Sequence, residues 1–213
     1  MRSSSVAAAI FAVVFSTQLL NSILAAAPSP AAPELPNPGA EFIRNSCNST
    51  LYPKRCYKTL SPFAPEIGSD PKKLAKKALS VTLKVTQSAS KLMRRMSRIP
   101  GAPAAMADCV EEVEDAVEEL GKSIDEMVGA PAEGPEFCRM IGDVQTWLSA
   151  AETDDDTCMD GFEEGPAGSS AATVKRNVKK LVEKHVGRIA RFTSTALALV
   201  NLYAASSSGV PSC

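Results

Sequence analysis

Four long stretches of this chain repeat apolar residues at three- and four-residue steps, the spacing that lines one face of an α-helix. The first opens at Asp70-Pro71, a capping side chain followed by proline at the first helical position. Its stripe is Leu74, Ala78, Val81, Val85, Leu92, Met96 and Ile99, and Pro100-Gly101-Ala102-Pro103 ends it. The second runs from about 104 to 128 on Val110, Val113, Val117, Leu120, Ile124 and Met127, and 129–135 reads as a loop. The third starts near Glu136, carries Phe137, Ile141, Val144, Trp147, Leu148 and Ala151, and gives way at Thr153-Asp154-Asp155-Asp156. After a linker at Gly165-Pro166-Ala167-Gly168, the fourth extends from Ala171 to about Ala205. Its stripe is Val174, Val178, Leu181, Ile189, Phe192, Ala196, Leu199 and Tyr203. Nothing reads as strands joined by a hairpin turn. Four amphipathic helices with short connections predict an all-α protein, an antiparallel up-down-up-down four-helix bundle.

The first residues bear on the compartment. Arg2 gives a positive n-region, and 6–24 is apolar except for Ser16, Thr17, Gln18, Asn21 and Ser22. Ala25-Ala26-Ala27 supplies the small residues that signal peptidase needs, so 1–26 reads as a secretory signal peptide rather than a membrane anchor. A Pro/Ala-rich leader follows over 27–39, then a domain over 40–205 and a non-helical tail over 206–213. The expected mature protein is secreted, extracellular and free of any membrane span.

Six cysteines in a secreted chain point to disulfides, with 15 connectivities open on paper. Cys47 and Cys56 are close enough to pair locally. Cys109, near the start of the second helix, and Cys158, beyond the third, fall at one end of an antiparallel pair, so they are a second expected bond. Cys138 and Cys213 also share an end; they form a possible third bond, or Cys213 is free or intermolecular. Asn48-Ser49-Thr50 is a glycosylation sequon.

The formal net charge of −1 hides strong segregation. Between 104 and 163 there are 18 acidic residues and two basic ones, Lys122 and Arg139; the rest of the chain holds 21 basic and six acidic. Enzymatic chemistry finds little to work with. His185 is the only histidine and lies in step with Leu181 and Ile189, as a core or edge residue would. A calcium loop counted from Asp156 would put Cys158 at its third position and Ala167 at its last, where a bidentate glutamate belongs. Cysteine spacing does not suit zinc, and there is no nucleophile elbow or phosphate-cradling loop. No cofactor or metal is expected. Basic residues lack interleaved aromatics, which argues against nucleic acid. What remains is an acidic surface, with Glu111, Asp115 and Glu118 on one face of the second helix at i, i+4 and i+7. A solvated face is the ordinary reading of such a pattern, but so many like charges repel one another, and a cationic partner would relieve that.

Several stretches resemble the plant invertase/pectin methylesterase inhibitor family. They are 42–53 through Cys56, Asp108-Cys109 with Asp115-Ala116-Val117, and Asp143 to Ala151 running on to Asp156-Thr157-Cys158 and Asp160-Gly161-Phe162. The last is Thr193 to Leu199, with Thr195 where asparagine is usual. The resemblance implies a bundle over 69–205 preceded by an N-terminal helical hairpin over 40–68. It implies the Cys47–Cys56 and Cys109–Cys158 bonds, and a non-enzymatic protein that binds a cell-wall enzyme one-to-one and blocks its cleft. Carried over by position, Glu111, Asp115, Glu118, Thr157 and Asp160 would contact the partner. Val113 departs from the aromatic common between those acidic positions, and Cys138 and Cys213 are extra. The Pro-Lys-Phe tripeptide of some invertase inhibitors is missing from Ile99-Pro100-Gly101-Ala102-Pro103-Ala104. A pectin methylesterase is therefore the expected partner, with acid invertase, or direct binding of pectin through the basic helices, as alternatives.

Overall fold

A computed structural model describes residues 38–129, 131, 133–160, 162 and 170–207. The expected signal peptide, the leader up to residue 37 and the tail beyond 207 lie outside the described residues. Three short helices come first: α1 (Pro38–Cys47), α2 (Pro53–Leu60) and, after a 3-10 turn at Ser61–Phe63, α3 (Ala64–Ile67). Four long ones follow: α4 (Pro71–Ser97), α5 (Ala105–Gly129), α6 (Pro135–Asp160) and α7 (Ser170–Ser206). No strand occurs among the described residues.

Local signals account for the boundaries. Asp70 caps α4, its carboxylate accepting a hydrogen bond from the Lys73 N–H at 3.1 Å, with Pro71 at the first turn. Gly68, at φ +59°, closes α3 and turns the chain into α4. Each long helix packs along two neighbours, giving the cyclic order α4–α5–α6–α7 of an up-down-up-down bundle. The α1/α2 hairpin is pinned by the Cys47–Cys56 bond. The Arg44 guanidinium also donates to Tyr57 Oη at 3.0 Å and stacks over that ring.

The core divides in two. At the hairpin end Ile43, Leu60, Leu79, Leu120, Phe137 and Leu199 pack together; at the other, Met93, Met106, Val113, Phe162, Val186 and Ile189 surround the Cys109–Cys158 bond. Buried hydroxyls find backbone acceptors. Thr82 Oγ1 donates to Ala78 O and, across to α7, to Phe192 O at 3.2 Å, and Thr86 and Thr193 donate one turn back.

The fold class agrees with the sequence pattern, and Val113, Leu120 and Met127 of α5 and Phe137, Ile141, Val144, Leu148 and Ala151 of α6 are buried as expected, but parts of the α4 and α7 rows turn outward. In α4 the innermost positions include Leu79, Thr82, Thr86, Ala89 and Met93, while Ile99 is half exposed. In α7 the inner row is Val182, Val186 and Ile189; Val174 and Leu181 are exposed and His185 is half-buried at the edge. Helix α6 continues through Thr153-Asp154-Asp155-Asp156 to Asp160 rather than breaking there. The Cys109–Cys158 bond holds that last turn against α5. Cys138 is disulfide-bonded; Cys213, its possible partner, lies outside the described residues.

Candidate functional site

The bundle sorts charge by edge. Helix α5 carries nine acidic residues and one basic, and α6 seven acidic and one basic, a joint net of −14. Helix α4 carries eight basic residues and no acidic one, and α7 seven basic and one acidic, a joint net of +14. Because α5 and α6 are adjacent in the cyclic order, the acidic pair forms one edge and the basic pair the edge opposite.

On the acidic edge Glu111, Asp115 and Glu118 are all exposed, outside the buried row Cys109, Val113, Ala116 and Leu120. Seven residues at the helical rise spread them over roughly 10 Å. Val113 is fully buried, so it packs beneath this face rather than belonging to it. Glu118 is the least free of the three: Lys122 bonds its carboxylate at 2.7 Å and holds its pKa below the ordinary value. The i, i+4 Glu-to-Lys order of that pair is legible in the sequence.

Thr157 and Asp160 are exposed on the last turn of α6 and flank buried Cys158. The Cys109–Cys158 bond brings them to the end of the edge where Glu111 lies; Glu118 sits about two turns away along α5. Thr157 Oγ1 donates to Thr153 O at 3.0 Å, which leaves its lone pairs for an incoming donor. Asn48, in the hairpin, is exposed.

Beneath the outer carboxylates lies a second, inward layer that sequence reasoning missed. Glu119 and Asp154 face each other between α5 and α6; burial and mutual repulsion push Glu119 up to about 7, and burial raises Asp154. Buried oxygens of both, Glu119 Oε2 and Asp154 Oδ2, have no hydrogen-bond partner. Asp155 is only 1% exposed, and neither carboxyl oxygen has a hydrogen-bond partner. Burial first, then Asp154, Asp156 and Glu152, push it up to about 8. Glu112 and Glu152 are also raised, chiefly by burial and then by neighbouring carboxylates. Among the described residues no cluster of three or more His, Cys, Asp or Glu has the arrangement to hold a metal ion.

The model of the plant invertase/pectin methylesterase inhibitor family matches residues 41–199. The chain belongs to that family. A pectinesterase inhibitor 10 of Arabidopsis thaliana is 46% identical over 169 residues, 77% of this chain and 51% of that protein. The chain thus spans about half the length of that relative. A 21 kDa protein of Daucus carota is 42% identical over 173 residues, covering 79% of this chain and 86% of its own. Pectinesterase inhibitor 11 of Arabidopsis thaliana is 35% identical over 202 residues, covering 92% and 96%. A crystal structure of a mutant pectin methylesterase inhibitor from Arabidopsis superposes with a TM-score of 0.53 at 21% identity, over 73% of this chain and 93% of that one. At that identity the superposition speaks to the inhibitor-family fold alone. No described helix of this family member is long and apolar enough to cross a membrane.

Proposed function

We propose that this protein is a secreted inhibitor of a plant pectin methylesterase, binding the enzyme one-to-one and covering its pectin-binding cleft. The observation that carries the reading is the −14 edge formed by α5 and α6. A cleft that accepts an anionic polymer has cationic groups at its rim, and a rigid face of carboxylates presents the same charge as the polymer. Glu111, Asp115, Glu118, Thr157 and Asp160 are the contacts, and the bundle behind them excludes the substrate. Family membership and relatives named pectinesterase inhibitors support the enzyme class. The signal-like composition of residues 1–26 supports secretion, and the exposed Asn48 is positioned to accept a glycan.

The test adds the oxidised mature protein to a panel of plant pectin methylesterases and, in parallel, to an acid invertase. Inhibition of an esterase, with Glu111, Asp115 and Glu118 all replaced by Lys raising Kd at least tenfold, is the expected result. Rim charges act largely on association rate, so the loss should appear in the on-rate and shrink as salt rises. Inhibition of invertase alone, or an unchanged Kd after charge reversal, would sink the proposal.

A further inference from the structure

The basic edge carries no role in this inhibitory reading, yet it holds a groove walled by Lys84 and Arg188. Between α4 and α7 lies a groove of about 260 Å³ lined by Val81, Lys84, Val85, Ser88, Ala89, His185 and Arg188. The hydrogen bond from Thr82 Oγ1 to Phe192 O fixes the antiparallel register of the two helices. Stepping from it, Lys84 lies level with Arg188 and the turn beyond, Lys91 with Lys184, and Arg95 with Lys180. Lys84, Lys91 and Arg95 recur at i, i+7 and i+11, and Lys180, Lys184 and Arg188 at four-residue steps, so each set keeps to one side of its helix. All six are exposed. None has a carboxylate within ion-pair distance among the described residues, in contrast to Lys77 and Arg94 on the same helix. The α4 row runs for 11 residues of helix, roughly 16 Å, and the α7 row for eight, roughly 12 Å.

We propose that this groove binds a linear polyuronate, the carboxylate-bearing polysaccharide that a pectin methylesterase produces. Lys84 and Arg188 line the groove itself, and Lys91, Arg95, Lys180 and Lys184 continue the cations along the same two helices, which suits an extended polyanion better than a single small ion. An apolar floor of Val81, Val85 and Ala89 between charged walls suits a sugar chain, whose ring faces are apolar and whose carboxylates project sideways. Among the described residues no aromatic side chain lines the groove to stack a nucleobase, and its concave section fits a single chain rather than a flat lipid surface. Such binding would hold the inhibitor on de-esterified pectin while the opposite edge remains open to the enzyme. The choice of a uronate over other polyanions rests on the function proposed above; the groove's affinity for anions does not.

His185 supplies a reporter, because it is the only histidine in the chain and lines the groove. Burial, Lys184 and Arg188 keep its pKa below the ordinary value, and Lys84 faces it from α4. A carboxylate seated among these cations must raise that pKa. The experiment titrates the full mature protein with a de-esterified galacturonate oligomer, following the His185 imidazole by NMR and affinity by calorimetry. A methyl-esterified oligomer of equal length, a single-stranded oligonucleotide and phosphatidylserine vesicles are the other arms. Expected are binding of the de-esterified oligomer alone, an upward His185 pKa shift, and at least tenfold weaker binding after Lys84→Glu with Arg188→Glu. Esterase inhibition, measured on the same samples, should be unchanged by those substitutions, and a milder Lys84→Gln with Arg188→Gln covers the case of misfolding. No binding, equal binding of the esterified oligomer, or equal binding of oligonucleotide or vesicles overturns the proposal. Loss of inhibition by the unsubstituted protein toward every esterase would instead count against the function proposed above.

Discussion

Replacing Asp155 by Asn should make this protein markedly more stable near neutral pH and change little near pH 4. In the folded chain the Asp155 carboxyl, 1% exposed and without a hydrogen-bond partner, keeps its proton up to about pH 8. In the unfolded chain it ionises near 3.8. Between those values the unfolded state binds fewer protons than the folded one, so stability falls as pH rises. The group's full contribution is present below the unfolded pKa and is lost through the window up to the folded one. From pH 4 to pH 7 that is about three pH units at 1.36 kcal/mol each, roughly 4 kcal/mol as an upper figure. For a domain of this size the same change moves Tm by roughly 8–16 °C.

Asn cannot ionise, so its stability should lack this slope. Any fixed cost of burying an amide in place of a neutral carboxyl is the same at every pH and drops out of the comparison. The assay is urea unfolding of both proteins, followed by far-UV circular dichroism at pH 4, 5.5 and 7. Asp155→Asn should gain on the parent by several kcal/mol across that range, with similar m values. A difference between the two proteins that stays constant within about 1 kcal/mol would refute the reasoning. It would mean that α6 relaxes enough for water to reach the charged carboxylate.

Three further outcomes follow from the same structure. Replacing Cys109 and Cys158 together by Ala removes a link across 49 residues; in the chain-entropy model this costs about 4 kcal/mol, measurable as a lower urea midpoint. Gly39→Ala places a Cβ 2.5 Å from the Ala64 carbonyl oxygen, so α1 must shift from α3; a loss of roughly 1–3 kcal/mol is expected, with earlier proteolysis of the hairpin. Lys122→Ala frees the Glu118 carboxylate and should strengthen esterase binding by about two- to threefold at low salt; stopped-flow association would show it, and weaker binding would contradict the docking face.

The four long helices were legible because their apolar period and their Pro/Gly loops agree. The faces were less so. In α7, Val174, Val178 and Leu181 form a row as regular as Val182, Val186 and Ile189, and periodicity alone does not choose between two interleaved rows. In α4 the inner face includes Ser90 together with Thr82 and Thr86, whose hydroxyls donate to backbone carbonyls one turn away, so a hydrophobic count finds Leu74, Ala78 and Met96 and misses the middle of the buried row. The extension of α6 was hidden for another reason. Asp154-Asp155-Asp156 reads as a helix breaker, yet Asp155 turns inward with a raised pKa while Asp156 stays exposed. Three identical side chains in a row differ only through burial, which no local pattern carries. The outward carboxylates Glu111, Asp115 and Glu118 could be placed on one face from spacing; the inward Glu119 and Asp154 could not, because their facing depends on how α5 and α6 pack.

Stability by itself would not arrange the charges this way. A bundle made to be stable would set opposite signs on adjacent helices, letting pairs form across every edge. Here the two acidic helices are neighbours and so are the two basic ones. Only Arg94 with Glu114 joins the basic half to the acidic half through a described ion pair between long helices. Arg139 with Glu126 is the one such pair between α5 and α6. On the inner side of the acidic half Glu119, Asp154 and Asp155 are all raised, by burial first and by neighbouring carboxylates second. On the outer side Glu111 and Asp115 face solvent, while Glu118 is paired with Lys122. Two large surfaces of opposite sign, back to back, are a poor design for an isolated domain. They make sense in a protein whose cationic partner sits against one surface and whose anionic partner sits against the other.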